Sequence, residues 1–553
     1  TSGRSGKYIT SLTERGGSVD GEANLSYSKS SNLTSENYFT YAAVLNDAHD
    51  LTVMAGYSYQ FYDSDGIRIE TATGFPTDAF IYWNLSAATG IPVYDSYLVK
   101  SKLSSYYGRL NYGFKSRYLF TFNARYDGSS RFAKNNKWAF FPSGAFAWNV
   151  MEESFMSAVD DISNLKLRVS YGITGNQAIS PYQSLASLTD VFATDRGNII
   201  PAIKPGSTSN PNLTWESTAQ LDVGLDLGLF ENRLGVTADY YNMLTSDLLF
   251  NAPVPRFSGF STQLQNIGEV QNKGFEFAVN ARILTGQLKW NTNANISFNR
   301  NKILKLVENE TDGNDIYYGS APLEGAGGIK TQILREGSPV GVFFGYQYDG
   351  VLQAGETPLV NGEGLGGEKF KDLAPDGILD DADRTIIGNP HPDFIWSWNN
   401  NLSLGNFDMN IFIQASQGGD MINYTRMELG IMNGRSNATT DVLDRWTPTN
   451  TNTDIPKANL ERGYVFSDRW VEDASYIRLK NISLGYNFSE SILRRIKFRS
   501  VRIYVSAQNI LTFTKYKGVD PEIAYNSSNT NLGLDYAGYP NVKSVTFGLN
   551  LGF

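Results

Sequence analysis

The chain has no cysteine and only two histidines among its 553 residues. The first absence excludes a disulfide scaffold and thiol catalysis. His49 and His391 lie far apart, and neither has a second histidine at metal-ligand spacing. No nucleophile-elbow pattern G-x-S-x-G accompanies them. Both histidines are therefore expected in structural or solvated roles, and no enzyme is expected. The sequence also lacks any run of about 18 apolar residues, which excludes a membrane-spanning helix. Its net charge of -9 comes without a basic stripe, so no nucleic-acid partner is expected. The opening residues Thr1–Lys7 carry no apolar core of a signal peptide. The expectation is that an upstream part is missing.

What is present is alternation. Val545, Phe547, Leu549, Leu551 and Phe553 share one face of a closing strand, with nothing after them to cover it. A last strand that ends on an aromatic is typical of outer-membrane β-barrels. The same period recurs upstream. Leu51, Val53, Ala55, Tyr57 and Tyr59 oppose Thr52, Gly56, Ser58 and Gln60. Leu221 to Leu229 and Leu234 to Tyr240 form one such pair around Glu231-Asn232-Arg233, and Phe275 to Ile283 and Leu288 to Phe298 form another around Thr285-Gly286-Gln287.

A sandwich core would show the same period, so connection lengths decide. Counting back from Phe553 gives about 17 candidate strands whose connections alternate short and long, as barrel turns and outer loops do. Lys115–Arg117, Phe230–Arg233, Thr285–Gln287 and Gly405–Asn406 are short. Tyr62–Lys102, Gly172–Thr218, Arg300–Asp393, Gln417–Ser475 and Asn509–Ser544 are long. The fold class expected is an all-β, antiparallel transmembrane barrel spanning residues 1–553 as one domain.

Several stretches carry a family resemblance. They are Tyr126-Asp127-Gly128-Ser129-Ser130-Arg131-Phe132, Phe141-Pro142-Ser143, Leu165 to Gly172, Thr174-Gly175-Asn176-Gln177 and Asn210-Pro211-Asn212-Leu213-Thr214-Trp215-Glu216. Asn266 to Glu276, Tyr476 to Asn481 and Ala507 to Leu511 continue the series in order. Together they resemble the SusC/RagA-like TonB-dependent transporters of Bacteroidota. The resemblance implies the C-terminal portion of a 22-stranded barrel in the bacterial outer membrane, a class whose lumen is plugged. It implies a plug and TonB-contacting segment upstream of these residues, and a SusD-like surface lipoprotein as partner. The function it implies is TonB-dependent import of glycan oligosaccharides or peptides. A barrel serving a larger assembly without import, and a passive porin, are the alternatives. Phe553 is expected to act as an assembly signal.

One segment fits a cation. Asp372-Leu373-Ala374-Pro375-Asp376-Gly377-Ile378-Leu379-Asp380-Asp381-Ala382-Asp383 follows EF-hand loop spacing. Asp372, Asp376, Asp380 and Asp383 would give carboxylates, Ile378 a carbonyl, and Gly377 the sharp turn. Ala374 supplies no ligand, and Asp383 is shorter than the usual bidentate Glu. The segment reads either as a weak Ca²⁺ site or as an acidic surface loop.

Aromatic loop residues Tyr82-Trp83, Tyr317-Tyr318 and Trp446 are candidates for stacking on a substrate, against a commoner girdle or loop-packing role. Arg125, Asp222, Asp226, Asn291, Asn293 and Asn295 are expected to face the lumen, where they line a path, contact a plug or are hydrated.

Overall fold

The structure, a computed structural model, describes residues 1–553 except 91, 196–197, 307–314, 361, 524 and 526–530; side chains 195, 198, 199, 253 and 256 are also left undescribed. Sixteen strands hydrogen-bond in chain order within one large sheet. The expected count of about 17 is thus corrected to sixteen among the described residues.

The chain forms two compact units. In the first, the strands Ser2–Ile9, Glu22–Leu45, His49–Thr73, Val93–Phe114 and Tyr118–Ser129 pair antiparallel in succession. The register sets apolar side chains opposite one another, as in Leu51 with Tyr112, Val53 with Leu110 and Tyr57 with Tyr106. A slip by one residue would turn every one of them to the polar face. Lys115 and Ser116, at φ of 52° and 54°, close the tight turn between the fourth and fifth strands. Two successive left-handed residues match a primed hairpin turn, whose twist suits the strands it joins.

The second unit repeats the scheme with Leu234–Ser246 (as far as Thr245), Glu269–Thr285, Leu288–Lys305, Phe394–Leu404, Phe407–Gln417, Tyr476–Asn487, Ser500–Thr514 and Ser544–Gly552. Consecutive strands again pair antiparallel. Trp138–Asn149, Ile162–Asn176 and Glu216–Leu229 have residues in both units.

The sheet buries almost nothing on its apolar face. Phe275 is 61% and Phe547 82% exposed, with Val223, Leu484, Ile503, Leu549 and Leu551 also open. Contiguous exposure on that scale is not sustained in water. It is what a lipid-facing band requires. Among the described residues no helix is long and apolar enough to cross a membrane.

Two segments assigned to loops prove to be strand. His49–Thr73 and Val93–Phe114 stay paired out to Glu70 and Val93, well past the expected limits at Tyr62 and Lys102. Asp63, Asp65, Arg68 and Glu70 interrupt the alternation there. The backbone ladder continues there although the side-chain alternation does not.

The larger buried clusters are built mostly from the connections. In the first unit, Phe132, Phe141, Ile179, Leu213 and Trp215 form one cluster. The family-like stretches supply all of it except Ile179, which follows Gln177 by two residues. Arg131 donates to the carbonyls of Ile179 (2.9 Å) and Gln177 (3.3 Å). The Trp215 indole donates to the Lys137 carbonyl at 3.1 Å. Asn266 accepts from the Thr214 amide and donates to its carbonyl, both at 2.8 Å. These motifs therefore fasten connecting segments together through packing and hydrogen bonds.

Candidate functional site

In the second unit, the described parts of the long connections 306–393, 418–475 and 515–543 fold on one another around a second buried cluster that includes Phe343, Ile422, Tyr424, Met427, Phe466 and Trp470. A small sheet, Val471–Asp473 against Asp420–Asn423 against Leu534–Asp535, ties two of these connections together. The short helix Tyr424–Gly430 follows directly, capped by the Asn423 side chain, which accepts from the Arg426 amide at 2.9 Å. These pieces wall an open cleft of about 1330 Å³. That volume accommodates several monosaccharide or amino-acid units, beyond the usual small-molecule pocket of about 300–1,000 Å³.

Buried ion pairs hold the walls. Arg426 contacts Glu472 at 3.0 Å, and Glu472 also accepts from the Lys517 amide at 2.8 Å. Arg469 meets Glu368 at 2.9 Å, and Arg462 meets Glu363 at 2.7 Å. Burial pushes the Glu368 carboxyl up and the Arg469 guanidinium down, each partly restored by the other's charge. The phenol of Tyr348 donates to the Asp454 carbonyl at 2.8 Å, and burial raises its pKa.

The connection 515–543 is pinned at its base by Arg478. That guanidinium, 2% exposed, reaches Asp520 at 2.5 Å and also pairs with Glu522. Lys480 holds Glu522 at 2.8 Å, and Tyr476 donates to it at 2.6 Å. The family-like stretch Tyr476 to Asn481 thus has a concrete task, which is to anchor one wall of the cleft.

None of the residues singled out in the sequence lines this cleft. Trp83 stays 64% exposed under the Arg4 guanidinium, 4.6 Å from its ring. Tyr317 packs on Phe344 with ring centroids 5.6 Å apart, burial raises the Tyr318 pKa, and Trp446 is buried. Of the polar strand residues, Arg125 pairs with Asp127 at 2.8 Å, and Asp226 with Arg168 at 2.8 Å. Asn295 accepts from Ser397 at 3.1 Å, and Asn293 donates to Asn280. His49 contacts the Tyr112 hydroxyl at 2.7 Å, and His391 the Val340 carbonyl at 2.7 Å, which requires a proton on its Nε2. Phe553 packs on Phe498, ring centroids 4.9 Å apart.

The acidic loop closes on itself. Asp383, fully buried, accepts from the amides of Leu373 (2.7 Å), Ala374 (3.0 Å) and Asp380 (3.0 Å). Asp372 accepts from Gly377, Asp376 from Ile378, and Asp380 from Ala382. Hydrogen bonds, that from the Asp380 amide foremost, hold the Asp383 carboxyl below the usual range. Among the described residues no three His, Cys, Asp or Glu side chains converge as a metal would need. One oxygen of Asp372 is buried without a partner.

The sequence signal that would have found the cleft is faint. Its residues come from connections more than 180 positions apart, such as Tyr348 and Gly538, with no periodicity and no motif to join them. Only the Arg478 anchor stood in a recognisable stretch.

Comparison with known proteins gives a consistent answer. Residues 3–510 match the family "TonB dependent receptor-like, beta-barrel". TonB-dependent receptor P3 of Formosa agariphila is 47% identical over 99% of this chain and 55% of its own length. TonB-dependent receptor SusC of Bacteroides thetaiotaomicron is 32% identical over 94% of this chain and 50% of its own. The structure of the RagAB peptide transporter superposes over 100% of this chain and 58% of that one, with a TM-score of 0.84 and 26% identity. The chain spans about half the length of the curated relatives it matches.

Proposed function

The chain belongs to the TonB-dependent receptor β-barrel family, of the SusC/RagA type in the bacterial outer membrane, and from that premise we propose that it serves TonB-dependent import of an oligomeric nutrient, a glycan or a peptide. A SusD-like surface lipoprotein is the partner proposed to deliver the nutrient. The barrel supplies the wall of the path and the outer-loop cleft in which the nutrient rests; TonB acts through a part of the protein outside these residues.

The observation that carries the reading is the cleft itself. It is open and large enough for several monomer units, and buried ion pairs brace it. Bracing of that kind pre-organises a binding surface and lowers the ordering cost of association. Support for a peptide comes from the RagAB likeness, since that neighbour is a peptide transporter. Support for a glycan comes from the SusC relative only through the family type.

Growth tests the proposal. Deleting the gene in its native host is expected to abolish growth on at least one oligomeric glycan or peptide mixture while growth on the corresponding monomers persists. Complementation should restore it, and purification from membranes should bring down a surface lipoprotein. Unchanged growth and uptake on every oligomer tried would sink the import reading.

A further inference from the structure

Asp535 is the cleft's unexplained residue. It lines the cleft, is 2% exposed, and sits in the small sheet opposite Asn423. Its Oδ2 accepts from the Tyr516 hydroxyl at 2.5 Å. Its Oδ1 is buried with no hydrogen-bond partner. A half-satisfied buried carboxylate is costly, and each such group in a folded protein calls for a reason.

The backbone beside it is also unusual. Ala537 has φ of +50°, in the left-handed region, where a Cβ is disfavoured. Its amide is held by the Thr425 hydroxyl at 2.7 Å. At Gly538 a Cβ would lie 2.1 Å from Cγ2 of Ile523, so a larger residue there would have to displace that side chain, while Asp535 Oδ1 lies at an ordinary contact distance of 3.4 Å. Strain and an orphaned acceptor meet within four residues. Strain gathered in one place is a common mark of a binding site.

Charge decides what the oxygen awaits. Asp349, Asp441, Asp444, Asp454 and Asp535 line the cleft. Arg426 and Arg469 are committed to Glu472 and Glu368, and Asp349 to Lys369 at 3.0 Å, which leaves Asp441, Asp444, Asp454 and Asp535 against Lys517. The cleft is therefore built for positive charge and repels acidic oligomers.

Resting on the import reading above, we infer that Asp535 is the specificity-determining carboxylate of the cleft and takes an ammonium group of a peptide substrate, a lysine side chain or an N-terminus. The ammonium donates to Oδ1, while Tyr516 keeps its hold on Oδ2. A shift of residues 536–538 uncovers Oδ1 and relaxes the left-handed backbone at Ala537. A charged donor to a buried carboxylate makes one of the stronger hydrogen bonds available to a protein.

The test uses the intact protein purified from membranes with whatever co-purifies. Binding is measured by fluorescence anisotropy for a labelled lysine-containing decapeptide, the same decapeptide acetylated at every amine, and a labelled neutral oligosaccharide. The lysine peptide is expected to bind at least ten times more tightly than its acetylated form. Asp535→Asn should erase that preference, lowering affinity for the lysine peptide tenfold or more and changing the acetylated peptide by less than twofold. Tyr539→Ser, at an 85% exposed position of the same connection outside the cleft lining, should retain the preference and shows that the loop tolerates substitution. Equal binding of the two peptides to the unaltered protein overturns the inference, and so does a preference that survives Asp535→Asn. If the oligosaccharide alone binds, the inference falls and the import reading stands. If no probe binds and gene deletion leaves uptake unchanged, the import reading falls with it.

Discussion

The Trp215 cluster of the first unit and the loop cleft of the second both rest on buried apolar side chains but differ in the polar chemistry added to them. Each must fix long connections that lie outside the large sheet and carry only small sheets of their own. The first does so with Phe132, Phe141, Leu213 and Trp215, and its polar members Arg131, Asn266 and the Trp215 indole all find carbonyl or amide partners. The second adds buried charge to its own apolar cluster: Arg462 with Glu363, Arg469 with Glu368, Arg478 with Asp520 and Glu522. Apolar packing stabilises without needing an exact partner. Buried ion pairs stabilise little over an apolar substitute but penalise every wrong arrangement. The lesson is that the cluster maximises stability while the cleft holds a shape, and only the cleft leaves an acceptor open for something else.

Substitutions can break that contrast. The largest effect is expected for Trp215→Ala, a loss of ~3–5 kcal/mol from transfer and cavity terms together. Thermal melting of the detergent-solubilised protein should show it, and a variant that melts with the unaltered protein would contradict the packing role. Arg462→Met removes one partner and leaves Glu363 buried, with an expected cost of about 3 kcal/mol. The double substitution Arg462→Met with Glu363→Leu should recover most of that. Failure to recover would mean the pair contributes through charge rather than through shape.

A smaller effect sharpens the comparison within the acidic loop. Asp383→Asn should cost about 1–2 kcal/mol near neutral pH, because the carboxylate caps three amides. The carboxyl's folded value is depressed, so its contribution is present above the ordinary aspartate pKa of about 3.9 and is lost as pH falls through the folded value. The gap between variant and unaltered protein should therefore close on acidification; a gap that widens would reverse the assignment. Smallest of all is calcium. With these carboxylates committed to their own loop, added CaCl₂ is expected to move the melting point by no more than about 1 °C. A rise of several degrees would show that Asp372, Asp376, Asp380 and Asp383 turn to the ion after all.

Strands were legible where lipid meets one face and something polar the other, as from Leu51 to Tyr59 and from Val545 to Leu551. They were illegible from Asp63 to Glu70, where the side-chain alternation lapses and only the backbone ladder persists. Tight turns such as Lys115–Arg117 were legible from their lengths. The cleft was not, because Tyr348, Arg426, Trp470 and Asp535 are brought together by loop packing that leaves no spacing rule behind. The EF-hand spacing was real as spacing, yet the geometry shows Asp383 spent on amide capping.

By itself, then, the sequence determined the barrel class, the apolar belt and the places of the tight turns, since each follows from a local period set by lipid and pleat. Only the tertiary structure decided which charges are paired, which carboxylate is left open, and where a ligand has room. Those depend on distances between residues remote in the chain, and no local pattern encodes them.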